Sequence, residues 1–357
     1  MPDCLDVPRN AARAAKHGPD AITGLARLVH AAALALACVA APAQPPRAST
    51  VAIVLPRPEG AIERAFRDYL AKSGVALRTV SLVRTGRAED DVALRATLRA
   101  LHPDLIYTWG AATTRAVAGA ARPAAPDDAI RDIPVVFTSV ADPVAAGLVV
   151  ELERPGRNLT GAMHVAPLAA QFAAMRAWRP LHRLGVLYDP LEGDAVTFRN
   201  QLRQRAQAEH VMLLEEPLQP DSSGEPDPAS IPAAVRRLRE RGAEMLYIGP
   251  DPLLGYTYAD LVTDAALEAG LPTFAATDDT LRRSKALLGL VSPAEGVGRL
   301  AAAEALQILR QHTPPGDMPV RAPSSFSVLL DMDVARRLGA YPPLRLLDVA
   351  QVIDQAP

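Results

Sequence analysis

Five stretches of this chain set polar groups directly behind short apolar runs, where a folded protein could grip a small ligand. In DLIYTWGAATT the run ends at Trp109 and Gly110, and Ala111 and Thr113 open the segment that follows. If the run is a strand and 111–120 a helix, the first backbone N–H groups of that helix are unsatisfied and partially positive, which suits a carboxylate or another anion. Thr113 or Thr114 adds a hydroxyl. The plainer alternative makes Thr113 a helix cap and Trp109 a core residue. In IPVVFTSVADP, Ser139, Ala141 and Asp142 bring a hydroxyl, a free backbone amide and a carboxylate to the end of a continuous β-branched run. They could grip a zwitterion, although an aspartate ahead of Pro143 also caps turns. Later, Tyr188 and Asp189 close LGVLYD, Asp251 follows MLYIGP, and Asp278 and Asp279 follow PTFAAT. A ligand amino group needs an anionic partner once water is excluded, and Asp251 or Asp278 could supply it; both could equally cap helices. Tyr256 and Tyr258 could wall such a site or pack structurally.

None of these groups forms a catalytic constellation. The chain has no P-loop, HExxH, GxSxG or paired CxxC, and His164, His182 and His210 lack ligand spacing. The cysteines, Cys4 and Cys38, both fall in the N-terminal leader, which removes thiol catalysis, cysteine-ligated metals and disulfides from the remainder. Gly296 and Gly298 in AEGVGRL lack the third glycine of a dinucleotide loop and open an alanine-rich segment, so close helix packing is the expected role. Arg236, Arg237, Arg239 and Arg241 cluster beside Glu240 as a solvated helix face. No catalytic residue, metal ligand or cofactor is expected, and the chain is not read as an enzyme. A formal net charge of −2 offers no basic excess for nucleic acid.

The elements that would position these groups alternate strand and helix. VAIVL, LRTVSLV, DLIYTW and the run at Val135 are separated by helical patterns at 59–73, 89–101 and 111–120, a βαβ series with a parallel sheet. A second series follows: a helix over 167–178, LGVLYD, a helix over 196–209, VMLLEEPL, a helix spanning 233–241, MLYIG, a helix over 258–269, and PTFAATD. In open parallel sheets ligands bind beyond the carboxyl ends of the strands, where all the singled-out groups lie. A chain of 357 residues also exceeds the roughly 250–300 residues at which single cores stop growing, so two domains are expected.

The N-terminus reads as an export leader. Arg9, Arg13, Lys16 and Arg27 precede LVHAAALALACVAAPAQ, an apolar run too short to span a bilayer comfortably. Ala41 and Ala43 flank Pro42 in a small-residue cleavage pattern, so residues 1–43 are expected to be a signal peptide and the mature chain to start near Gln44. A second export reading is acylation at Cys38, which closes the apolar stretch and would make the protein a periplasmic lipoprotein.

Ile133 to Gly161 (IPVVFTSVADPVAAGLVVELERPGRNLTG), then GLVSPAEGVGRLAAAEALQIL, then MPVRAPSSFSVLLDMDVARRLGAYPPLRLLDVAQVID occur in an order that resembles the substrate-binding proteins of ABC transporters, of the tryptophan/tyrosine type. The resemblance implies an α/β type I periplasmic binding fold: two Rossmann-like lobes with parallel sheets joined by a three-strand hinge. The lobes would be 48–164 completed by 288–322, and 165–287 completed by 323–357. Crossings are expected near 163–166, 286–289 and 322–325. The resemblance further implies a periplasmic, monomeric receptor that closes on a small polar ligand, an amino acid or a relative, and passes it to an inner-membrane ABC permease with its ATPase. The alternatives are a ligand-sensing module for a membrane signalling partner and a two-lobe enzyme such as a glycosyltransferase.

Overall fold

The computed structural model describes residues 48–121, 126 and 128–353; the expected signal peptide, its cleavage site and Cys38 lie outside them. The elements run β1 (Ser49–Leu55), α1 (Ala61–Lys72), β2 (Leu77–Val83), α2 (Ala88–Leu101), β3 (Leu105–Trp109), α3 (Ala111–Ala118), β4 (Val135–Val140) and β5 (Leu159–Met163). There follow α4 (Leu168–Trp178), β6 (Arg183–Tyr188), α5 (Gly193–Ala208), β7 (Met212–Pro217), α6 (Ile231–Glu240), β8 (Met245–Ile248), α7 (Ala259–Glu268), β9 (Thr273–Ala275), α8 (Asp278–Arg283) and β10 (Leu288–Val291). The chain ends in α9 (Ala294–Gln311), β11 (Ser327–Asp331), α10 (Met332–Arg337), α11 (Leu344–Leu347) and β12 (Ala350–Ile353).

The strands assemble into two sheets. The first has the order β2-β1-β3-β4-β5 and is parallel throughout. The second has the order β12-β11-β10-β9-β8-β6-β7 and is parallel except where β10 meets β11. Strands covered by helices on both faces read as unbroken apolar runs rather than as alternation, which is why Val51 to Leu55 and Val135 to Phe137 are buried at every position. Two apolar clusters flank the first sheet: one joins β1 and β3 to α1 and α9, the other joins β1, β3 and β4 to α2 and α3. The second sheet is flanked likewise, by α4 and α5 on one side and by α6 and α7 on the other.

Three chain passages lie side by side between the sheets. The Met163 N–H donates to the Arg321 carbonyl at 2.8 Å, Ala162 bridges Arg321 in parallel, and Val165 bridges Val291 in antiparallel. The second passage therefore follows Val291, later than the expected 286–289. Leu288–Val291 is not a loop but a strand that pairs with both β9 and β11 of the second sheet. The expected first-lobe segment 288–322 thus begins with a strand of the other sheet, and only α9 returns to pack on α1.

That return depends on Gly298. A Cβ placed there would lie 2.3 Å from the Ile62 carbonyl oxygen and 2.9 Å from the Ala65 Cβ, so no side chain fits without moving α1. At Gly296, two residues earlier on the same helix, a Cβ would meet nothing within 4 Å. Close packing is thus the role of Gly298 alone. Gly298→Ala is expected to cost about 1–3 kcal/mol of stability through overpacking, outweighing the gain in helix propensity. Gly296→Ala should be neutral or slightly stabilising; urea unfolding of the two variants checks the contrast.

Candidate functional site

The carboxyl ends of β3 and β4 in the first sheet and of β6 and β8 in the second open onto one cavity of about 240 Å3. Nine of the residues singled out in the sequence line it: Trp109, Gly110, Ala111, Thr113, Ser139, Ala141, Asp142, Tyr188 and Asp251. A smaller compartment of about 60 Å3 adjoins it, sharing Trp109, Ser139, Pro250, Asp251 and Pro252, and Asp278 lines this one. Asp189 lines neither. It is 6% exposed, and its Oδ1 accepts the Leu191 N–H at 2.8 Å, so its carboxylate holds the turn after β6 and does not face the cavity.

Two backbone features shape the first-sheet side. Gly110 has φ +78°, which turns the chain sharply from β3 into α3, and no side chain caps the helix. Thr113 is buried without acting as a cap, while the Thr114 hydroxyl bonds the Gly110 carbonyl at 2.7 Å. The first-turn residues Ala111, Ala112 and Thr113 line the cavity, so the positive end of the helix is presented to whatever occupies it. Ser139 lies in left-handed backbone, φ +57°, at a register shift between Thr138 and Val140. Such a conformation costs a non-glycine residue on the order of 1–2 kcal/mol, and strain of this kind clusters at ligand clamps.

The carboxylates singled out in the sequence mostly stabilise backbone. Asp142 Oδ1 accepts the Val144 and Ala145 N–H groups at 3.1 and 2.9 Å. Asp251 Oδ1 accepts those of Leu253 and Leu254 at 2.7 and 2.9 Å, at the start of a π-helical turn over Leu253–Thr257. Burial pushes the Asp251 carboxyl above its ordinary pKa. Asp278 Oδ1 pairs with Arg282 at 2.8 Å, and its Oδ2 accepts the Ala294 N–H at 3.4 Å; burial raises its pKa as well.

Several residues at the site carried no signal in the sequence. Asp142 Oδ2 accepts from Gln201 Nε2 of α5 at 2.5 Å. Arg115 of α3 grips Asp194 of α5 through two bonds, at 2.9 and 2.8 Å. Both contacts cross the cavity rim to α5, one from α3 and one from the turn after β4. Arg57 lies over Trp109 at 4.6 Å and over Tyr256 at 5.1 Å, and Arg283 covers Tyr256 at 4.3 Å. The Arg57 charge is balanced by Glu63, 3.1 Å away and wholly buried, which in turn accepts the Tyr107 hydroxyl at 2.9 Å. Tyr256 thus walls the smaller compartment, whereas Tyr258 packs against the apolar cluster under α6 and α7. On the second-sheet side the larger compartment is lined by the apolar Val186, Leu187 and Phe198, and Ala145 and Ala146 add apolar surface next to α3. Among the described residues no group of three His, Cys, Asp or Glu could hold a metal ion. The arrangement offers an anion-binding helix end facing an apolar pocket, which is suited to holding a small molecule.

Comparison with known proteins bears on this geometry. A sequence profile described as ABC transporter substrate binding protein matches residues 65–353. The Tyrosine-binding protein of Clostridioides difficile (strain R20291) is 26% identical over 212 residues, which is 59% of this chain; the match spans 58% of that relative's length. Among solved structures, a conserved domain protein from Vibrio cholerae superposes with a TM-score of 0.74 at 23% identity, covering 87% of this chain and all of that one. An ABC domain in complex with L-Trp from Streptococcus pneumonia superposes with a TM-score of 0.70 at 20% identity, covering 85% of this chain and all of that one. The fold is that of the type I periplasmic binding proteins.

Strain at Ser139 has a measurable consequence. Glycine adopts φ +57° freely, so Ser139→Gly should stabilise the ligand-free protein by about 0.5–1 kcal/mol while removing a cavity hydroxyl. Equilibrium unfolding without ligand reads the gain directly.

Proposed function

Since the chain belongs to the ABC transporter substrate-binding protein family, we propose that it is an exported receptor that closes two lobes over one amino acid and delivers it to an inner-membrane permease driven by an ATPase. The observation that carries this reading is the cavity lined from both sheets, with the uncapped α3 terminus on one side and an apolar wall on the other. The ligand carboxylate lies against the N–H groups of Ala111 to Thr113, and the side chain lies against Val186, Leu187 and Phe198. An aromatic side chain suits that wall, and the names of two similar proteins, one tyrosine-binding and one solved with L-Trp, support the same class.

Closure follows from where the contacts lie. In this reading the first lobe is 48–163 with 294–322, and the second is 164–293 with the remainder through the C-terminus. Arg115–Asp194 and Asp142–Gln201 then form only when the lobes are together. A ligand shifts the hinge by its differential affinity for the closed state, which requires grip from both lobes. The protein acts as a monomer, turns over no substrate, and works in the periplasm after loss of residues 1–43.

A ligand bound only to the folded state raises its stability, by about 2.7 kcal/mol at a hundredfold excess over Kd, and so raises the melting temperature by several degrees. L-Tyrosine, L-tryptophan and the other protein amino acids, tested against sugars and nucleosides in a thermal-shift screen, should give the largest rise with an amino acid. A rise with a sugar or nucleoside alone would refute the amino-acid reading.

A further inference from the structure

The smaller compartment contains polar atoms that the folded chain leaves unanswered. Ser292 is 3% exposed and its Oγ has no hydrogen-bond partner; the Nδ1 of His164 is buried and also unpartnered. Burying a hydroxyl or an imidazole nitrogen without a partner costs on the order of 1–3 kcal/mol, so two such atoms lining one compartment point to a partner supplied from outside the chain.

The hinge brings these two atoms together. Val165 bridges Val291 in antiparallel, so the residue before Val165 opposes the residue after Val291, and those are His164 and Ser292. Directly opposed residues have Cβ atoms about 4.5–5.5 Å apart. Burial holds the pKa of the His164 imidazole down to about 4, so the ring is neutral. A neutral imidazole carries its proton on one nitrogen only, so the unpartnered Nδ1 is open to act as an acceptor. Asp278 and Asp279 add carboxylate oxygens to the lining, and burial raises the pKa of both. Each already pairs with one arginine, Asp278 with Arg282 at 2.8 Å and Asp279 with Arg283 at 3.4 Å, and its pKa is still raised, so a further cation beside them would relieve the remaining cost. Arg57 also lines the compartment with its Nε unpartnered; that donor fits a carboxylate oxygen, and Glu63 already balances its charge.

We propose that the smaller compartment is an ammonium subsite, in which His164 Nδ1 and Ser292 Oγ accept hydrogen bonds from the α-ammonium of the bound amino acid beside the carboxylates of Asp278 and Asp279. The inference rests on the amino-acid reading above and sharpens it: the ligand must carry a free, protonated amine next to its carboxylate. His164 and Ser292 stand on two different hinge passages, so the ammonium ties together the segments that must bend for the lobes to part.

Calorimetric titration of the purified protein with two pairs of probes tests this: L-tyrosine against 3-(4-hydroxyphenyl)propionate, and L-tryptophan against indole-3-propionate. The amino acid of a pair should bind at least about 100-fold more tightly than its des-amino counterpart, because loss of the ammonium leaves the acceptors of His164 and Ser292 without a partner and takes a cation from beside Asp278 and Asp279. Ser292→Ala should weaken amino-acid binding about tenfold and leave des-amino binding unchanged. Amino-acid binding with equal affinity for the des-amino acid, or equal weakening of both by Ser292→Ala, would overturn the subsite while leaving the receptor reading in place. Failure of both L-tyrosine and L-tryptophan to bind would overturn the amino-acid reading and the subsite with it.

Discussion

Parallel strand pairing is the constraint on which the remaining structure depends. A parallel neighbour can be reached only by a crossover, so each such strand sends its chain out at the carboxyl edge, into a helix N-terminus after β1, β2, β3 and β6 and into a polar turn after β4. Unsatisfied backbone N–H groups and short polar turns therefore gather along one edge of each sheet. Here the two edges face the same cavity, and the groups able to hold a ligand come from β3, β4, β6 and β8 at once. The strained Ser139 and the left-handed turn at Gly110 both lie on that edge, where departures from regular geometry are supported by packed strands behind them.

The energetics of the rim fit the proposed closure on a ligand. The bidentate Arg115–Asp194 pair is roughly one-third exposed on both sides, and partly exposed pairs of that kind contribute up to about 1 kcal/mol. The Gln201–Asp142 bond adds a similar amount. Together they bias the lobes toward each other without fixing them there, since a shift from nearly all open to nearly all closed takes about 5.5 kcal/mol. In the proposed closure the remainder comes from a molecule held between the lobes. The unpartnered atoms at His164 and Ser292 are where the folded chain most visibly lacks that partner.

Much of the architecture was legible in the sequence because parallel, doubly covered strands are continuous apolar runs: β1, β3, β4 and β6 all stand where those runs do. The run at Leu288–Val291 was missed because four residues carry little periodicity, and its place in the second sheet is set by pairing with distant β11. The cavity-lining Trp109, Ser139 and Asp251 were legible from their position behind apolar runs. Their roles were less so: Asp142 and Asp251 were weighed as ligand partners or caps and Asp189 as a ligand-side residue, and all three accept backbone N–H groups. Local sequence favours either role equally. Arg57, Arg115 and Gln201 were silent because their partners lie on other elements. Ser292 and His164 acquire meaning only from the antiparallel bridge that opposes them.

The central claim is that two lobes close over a ligand, and distance across the cleft measures it most directly. Both natural cysteines precede residue 48, so Val83→Cys and Leu191→Cys, at exposed positions at the carboxyl end of β2 and just beyond that of β6, would give a spin-label pair on opposite lobes of the mature chain. Double electron–electron resonance should show the distance distribution shorten and narrow when the amino acid that binds is added. An unchanged distribution at saturating ligand would contradict closure as the mechanism.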